Sequence, residues 1–176
     1  MYDILSLDIV ESGSDLQEPV SLEEAKSWLK IDGTDQDDEI NRLIISCRQA
    51  VENYTHCSLI EKQIECTVKL CGDLFELPNG PVKQVNAVSV EGQTVEGYSK
   101  VDGSFLKIYN LYGLCNITYS VGYDVVPARL KEAILNELAY RNQNRGDQSK
   151  ENMFGSSYLC ESALHICHPY KRMAWL

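Results

Sequence analysis

The side chains best equipped for chemistry gather near the C-terminal end, where Cys160, His165, Cys167 and His168 place two thiols and two imidazoles within nine residues. These are zinc ligand types, but structural zinc sites rely on C-x2-C pairs whose spacing lets both sulfurs reach one tetrahedral ion. Adjacent Cys167 and His168 would point apart in an extended segment, so the cluster reads as small thiols and surface imidazoles and not as a metal centre. The third histidine, His56, adjoins Cys57. A lone His beside a Cys does not define a nucleophilic pair. Asp35, Asp37, Asp38 and Glu39 evoke a calcium loop, yet that loop needs alternating ligands, a glycine at its sixth position and a closing bidentate Glu. Here the acids run straight into an amphipathic pattern. Neither H-E-x-x-H, G-x-S-x-G, a Walker A loop nor G-x-G-x-x-G after a strand occurs. The remaining paired carboxylates fall at helix starts, where capping accounts for them. The expectation is a protein that is not an enzyme and carries no cofactor or metal.

Composition narrows the classes further. The chain has 176 residues and a formal charge of -10, with 44% hydrophobic residues. That length buries one proper core. The charge argues against stable nucleic-acid binding, which needs clustered Lys and Arg to release counterions from phosphates. The acid is unevenly spread: residues 1–60 hold thirteen Asp/Glu against four Lys/Arg, and residues 61–176 hold thirteen against twelve. Two readings of that asymmetry stand, a solvated helix surface and a field that steers partners or repels a passing polyanion. Seven cysteines without regular spacing, behind a start that lacks a secretory pattern, are expected to be reduced thiols in a cytosol. No run nears the roughly 18 apolar residues of a membrane span, so no membrane partner is expected. The sequons at Asn53 and Asn116 are then chance matches.

The elements that must position these residues follow from periodicity. Residues 1–18 suggest an N-terminal arm with a short strand near Ile4 to Val10. Ser21 and Glu24 form a capping box that opens a first helix carrying Leu22, Ala25 and Leu29 on one face, which Asp32-Gly33 should break. Asp37, Asp38 and Glu39 begin a second helix, where the helix dipole favours carboxylates. Its stripe of Ile40, Leu43, Ile44, Cys47, Val51 and Tyr54 runs to about Tyr54. Ile45 lies off that stripe and is a candidate subunit contact, the alternative being a single exposed aliphatic. From Leu59 to Tyr123 the period becomes strand-like, with strands at Ile64 to Leu70, Phe75 to Leu77, Val85 to Val90, Phe105 to Tyr109 and Leu114 to Tyr119. A last helix opens after Pro127 and runs to about Arg145. Leu135 and Ala139 widen its apolar arc beyond one core face, which makes them subunit-interface candidates. The tail ends in Tyr170, Lys171, Arg172 and Trp175, residue types that dominate binding hot spots; docking and folding back on its own domain are both open.

The residues also resemble a known family. Pro19-Val20-Ser21-Leu22-Glu23-Glu24-Ala25-Lys26 followed by Trp28-Leu29-Lys30-Ile31 is similar to the P-V-[ST]-L-x-E-A-K opening and first helix of the head-tail connector (adaptor) proteins of tailed bacteriophages. The likeness continues through Asp35 to Glu39, Arg48 to Thr55, Leu77 to Val82, Ile117 to Tyr123 and Pro127 to Ile134, with Asn142 and Arg145 closing the helix. It covers residues 18–146. Where that family tends to have Y-T-G-R, this chain has Tyr54-Thr55-His56-Cys57, and its C-terminal arm is longer and richer in Cys.

The resemblance implies an α+β fold, mainly helical: a three-helix core domain with a small inserted antiparallel β region and extended N- and C-terminal arms. The expected organisation is one connector domain over 1–146, with an arm at 1–18, a helical pair at 19–58, a β region at 59–123 and a long helix at 127–146, followed by a C-terminal arm at 147–176. It further implies a structural virion protein of the neck, assembled in the host cytoplasm as a closed ring of roughly a dozen copies through a heterologous interface. Its partners would be the portal protein and a stopper or tail-completion protein, with double-stranded DNA passing without stable binding. Tyr170, Lys171, Arg172 and Trp175 are then portal-docking candidates, and Asp37, Asp38 and Glu39 channel-lining candidates. The alternatives are another phage neck or tail-completion protein, or a small non-viral binding module.

Overall fold

The computed structural model describes residues 3–11, 17–103, 105–144 and 159–172. They form two compact units that interleave along the chain, Met1–Leu16 with Ile60–Asp124 and Gln17–Leu59 with Val125–Leu176.

The first unit is all β. Its five-stranded antiparallel sheet has the order β1-β2-β8-β4-β5, from β1 (Asp3–Glu11), β2 (Lys62–Cys71), β8 (Tyr112–Val121), β4 (Val82–Val90) and β5 (Gln93–Thr94). A smaller sheet has the order β3-β7-β6, from β3 (Phe75–Glu76), β7 (Lys107–Tyr109) and β6 (Ser99–Val101). Strict alternation in β2 puts Ile64, Cys66 and Val68 opposite Tyr119, Ile117 and Cys115 of β8 on one buried face. Phe75, Leu77, Leu106 and Ile108 complete that core. Each such fully buried aliphatic side chain contributes roughly 1.5–3 kcal/mol. Tyr119 can be buried there because its hydroxyl donates to the Pro78 carbonyl at 3.1 Å. Gly122 ends β8 with φ +126°, and a Cβ there would sit 2.6 Å from the Ile60 carbonyl oxygen, so only glycine fits.

The second unit is helical. α1 (Leu22–Leu29) opens on the expected capping box: the Glu24 amide donates to Ser21 Oγ at 3.1 Å and the Ser21 amide to Glu24 Oε2 at 2.9 Å. α2 (Asp37–Thr55) buries Ile40, Ile44, Cys47 and Val51 of the expected stripe. α3 (Ala128–Gln143) buries Leu130, Ala133, Ile134 and Leu138 and packs on α1 and α2. α4 (Glu161–Cys167) packs on α3 and runs into a 3-10 turn at His168–Tyr170.

Four expectations change. The fold is α+β, but strand content is about equal to helix content, so it is not mainly helical. The short strand expected near Ile4 to Val10 is a nine-residue edge strand, β1, one residue longer at each end, with a register shift between Ile4 and Ser6 that interrupts its two-residue period. The helical core has a fourth helix, α4, where a loop-like arm was expected. The first helix also stops earlier than Asp32-Gly33, because Lys30 adopts a left-handed conformation at φ 56° and the Ile31 amide bonds back to the Lys26 carbonyl.

Candidate functional site

The acidic candidates sit where the dipole argument places them, in the first turn of α2, yet they are not equivalent. Asp37 is half-buried and ion-paired with Lys26 at 2.6 Å. The same Lys26 ammonium also donates to the Gly33 carbonyl, tying the α1–α2 loop to both helices. Asp38 and Glu39 are exposed and carry the negative surface at this end.

Two charged networks hold the helical unit together, and neither was anticipated. Arg48 is 1% exposed, with Nε donating to Glu18 at 2.8 Å and a terminal nitrogen donating to Glu52 at 2.7 Å. Glu52 Oε1 also accepts the Leu59 amide at 2.7 Å, which fixes the chain after α2. On α3, buried Glu137 accepts Arg141 Nε at 2.7 Å, and Arg141 donates onward to Ser46 on α2 at 2.7 Å. The other oxygen of Glu137 accepts the Cys160 amide at 2.6 Å and so closes the N-terminus of α4. The available signal was opposite charges four residues apart inside an apolar stripe: Ile44, Arg48 and Glu52 on α2, Ile134, Glu137 and Arg141 on α3.

The interface candidates are partly solvent-facing. Ile45 is 40% exposed, and Leu135 and Ala139 are half-buried. Ile45 borders an open groove of about 280 Å³ lined also by Glu18, Val20, Leu22 and Ile44. Trp28 on α1 is a further exposed aromatic, at 47%, on the same unit.

The C-terminal candidates are brought together up to the limit of the described residues. The Arg172 amide donates to the Thr55 carbonyl at 3.0 Å, the Cys57 thiol lies 3.8 Å from the Tyr170 carbonyl, and the Lys171 ammonium stands 4.7 Å from the centroid of the Tyr54 ring. Tyr170, Lys171 and Arg172 are thus seated on the end of α2, a surface of aromatic and cationic groups. Trp175 and Arg145 lie outside the described residues.

The thiols and imidazoles of the terminal segment do not converge. Cys160 and Cys167 are buried while His165 and His168 are exposed, and among the described residues no group of three or more His, Cys, Asp or Glu could hold a metal. Burial pushes the Cys47 and Cys167 thiols up to about 12 and Cys66 up to about 11. All three are neutral thiols at physiological pH. No described helix is long and apolar enough to cross a membrane.

Among the described residues the helical unit presents a seated basic-aromatic segment, an exposed Ile45 beside a groove and an acidic helix end. That is the equipment of a structural assembly subunit. The chain belongs to the head completion protein family, whose model matches residues 18–172. Its fold is similar to that of a chain in the neck of an empty gene transfer agent particle computed with C6 symmetry, at TM-score 0.76 and 18% identity over 98% of both chains. It is equally similar to a chain in the virion of the native particle, at TM-score 0.75, 18% identity and 98% of both chains. A third match, to the neck of the native particle computed with C12 symmetry, has TM-score 0.59 and 17% identity over 92% of this chain and 97% of the other. No curated protein sequence gives a significant match.

Proposed function

We propose that this chain closes into a ring of about twelve copies between the portal and the tail-side proteins, and that double-stranded DNA passes through the ring without being held. The observation that carries this reading is the near-complete likeness in fold to neck subunits of particles computed with C6 and C12 symmetry. The net charge of -10 supports passage without capture, since a negative wall gives phosphates nothing to anchor on. In this arrangement Ile45 of one copy and the Leu135–Ala139 face of the next form the two unlike halves of a head-to-tail interface. Asp38 and Glu39 face the channel, with Asp37 fixing their helix to Lys26. Tyr170, Lys171 and Arg172, continued by Trp175, present the portal-docking surface, which includes Tyr54 at the end of α2.

Electron microscopy of this protein mixed with the portal protein of the same virus tests the reading. The expected result is a ring stacked coaxially on the portal. Absence of association across a range of salt would move the protein to another level of the neck. Truncation after Pro169 should abolish portal binding; unimpaired binding would remove the docking role of the tail.

A further inference from the structure

Among the described residues the outer edge of β1 has no partner strand, since β1 pairs with β2 along one side only. An unpaired edge presents a row of free amides and carbonyls, and soluble proteins normally blunt such edges with Lys, Pro or bulges. The opposite side of the sheet follows that rule: β4 carries Lys83, is bulged between Val82 and Gln84 and again between Val85 and Ala87, and is covered at its end by β5. β1, with the sequence DILSLDIVE, has one register shift and no Lys, Arg or Pro.

The side chains of β1 point the same way. Ile4, Leu7 and Ile9 lie opposite Val68, Cys66 and Ile64, so they share the core face of the sheet. Yet Ile4 is 46% and Ile9 49% exposed, and Leu5, at the register shift, is 61% exposed. The core runs out beneath them, leaving an apolar margin on a strand with an open edge. On the other face Asp8 lies directly opposite Glu65, both exposed, and no described cation is bonded to either. Like charges directly across a ladder are destabilising. A residue on an added strand, next to Asp8 on that face, would offset the pair if it were Lys or Arg.

The geometry points to β1 as the acceptor of a strand from a partner protein, one with apolar residues at every second position and a basic residue on the alternate face opposite Asp8. Main-chain bonds along the edge supply affinity, the apolar positions cover Ile4, Leu7 and Ile9, and the basic residue reads Asp8 and Glu65. Ring closure is not required for this pairing, so the two readings stand or fall separately.

The test uses the full chain and a synthetic peptide that alternates valine with threonine and carries one lysine at a threonine position. Hydrogen exchange at Asp3–Glu11 and fluorescence anisotropy are the readouts. Expected are slowed exchange across β1 on peptide addition, affinity up to about five-fold weaker when the lysine is replaced by glutamate, and reversal of that preference in Asp8→Lys. Asp8→Lys keeps the fold because it turns a like-charge pair with Glu65 into an opposite one. Unchanged exchange at β1, equal binding of a peptide N-methylated on alternate residues, or indifference to the charge swap would each overturn the proposal. Protection of β1 that grows with protein concentration in the absence of peptide would assign the edge to a second copy and overturn it as well.

Discussion

Arg48 is a charge that the surrounding helices cannot release to water. With Glu18 and Glu52 as its partners, replacing it by Met strands two carboxylates, one of them buried, and should cost about 3–5 kcal/mol in urea unfolding. The double change Arg48→Met with Glu52→Gln should recover part of that loss, because the introduced carboxamide oxygen can still accept the Leu59 amide while the stranded charge is gone. His56 makes the opposite case. It occupies the C-cap of α2 in a left-handed conformation at φ 55° and is exposed, at the position where connector sequences tend to carry glycine. His56→Gly should therefore stabilise the protein by about 0.5–1 kcal/mol, the left-handed strain of a side chain outweighing the added freedom of glycine in the unfolded chain. The thiols give a pH signature. Their folded values lie above the ordinary 9.0, at about 11 for Cys66 and about 12 for Cys47 and Cys167. Below about 9 both folded and unfolded chains hold these protons and stability is unaffected. From 9 toward 12 the unfolded chain loses them first, so stability should fall as pH rises through that window, and replacing Cys47 and Cys66 by Ala should flatten the decline. Alkylation at pH 8 should label exposed Cys71 alone until the protein is unfolded.

At the scale of elements, α4 shows what local reading could and could not deliver. A seven-residue helix is too short to announce itself by period, and its N-cap, Cys160, makes no side-chain cap. The missing cap comes from Glu137, twenty-three positions earlier and on another helix, so no window of sequence contains it. Glu137→Ala should open α4, seen as fast hydrogen exchange over 160–170, and destabilise by about 1–3 kcal/mol, because the Cys160 amide loses its acceptor and the part-exposed Arg141 its partner. Glu137→Gln should keep α4 closed, since a carboxamide oxygen still faces the Cys160 amide, while losing much of the Arg141 contribution. α1, by contrast, was legible from Ser21 and Glu24 because both halves of its cap lie within one turn. α2 was legible from its stripe, and β2 and β8 from the alternating residues within Ile64 to Leu70 and Leu114 to Tyr119, short of the ten residues each strand spans. β5 and β6 were not, being two and three residues long and held only by their neighbours.

At the scale of the whole molecule, the family became visible through the joint order of caps, turns and stripes, since each piece by itself is only a cap, a turn or a core stripe. Which surfaces would carry the assembly role under the proposed ring is harder to read from sequence. Ile45 could be singled out as an apolar residue on a polar face, and it does border a groove. The docking of Tyr170 to Arg172 on the end of α2 depends on a tertiary contact with Thr55 that spacing cannot show. Substituting Ile45 or Leu135 with Asp should prevent ring formation while leaving the fold intact, checked by electron microscopy alongside circular dichroism. The combined change Asp38→Asn and Glu39→Gln should leave rings unaltered and reduce DNA delivery in an infectivity assay. Rings lost in the second variant, or retained in the first, would reassign both surfaces.

The interleaved chain path has a consequence for biosynthesis. Asp3–Glu11 is made before its ladder partner Lys62–Cys71, which follows only after both early helices, and Tyr112–Val121 comes later still. Those early helices in turn wait for Ala128–Gln143 and Glu161–Cys167. The helical unit therefore waits for Glu161–Cys167, and until Lys62–Cys71 has been made a nascent chain carries Asp3–Glu11 as an unpaired, apolar, β-prone segment. Shielding of that strand during synthesis is then a requirement separate from the stability of the finished subunit.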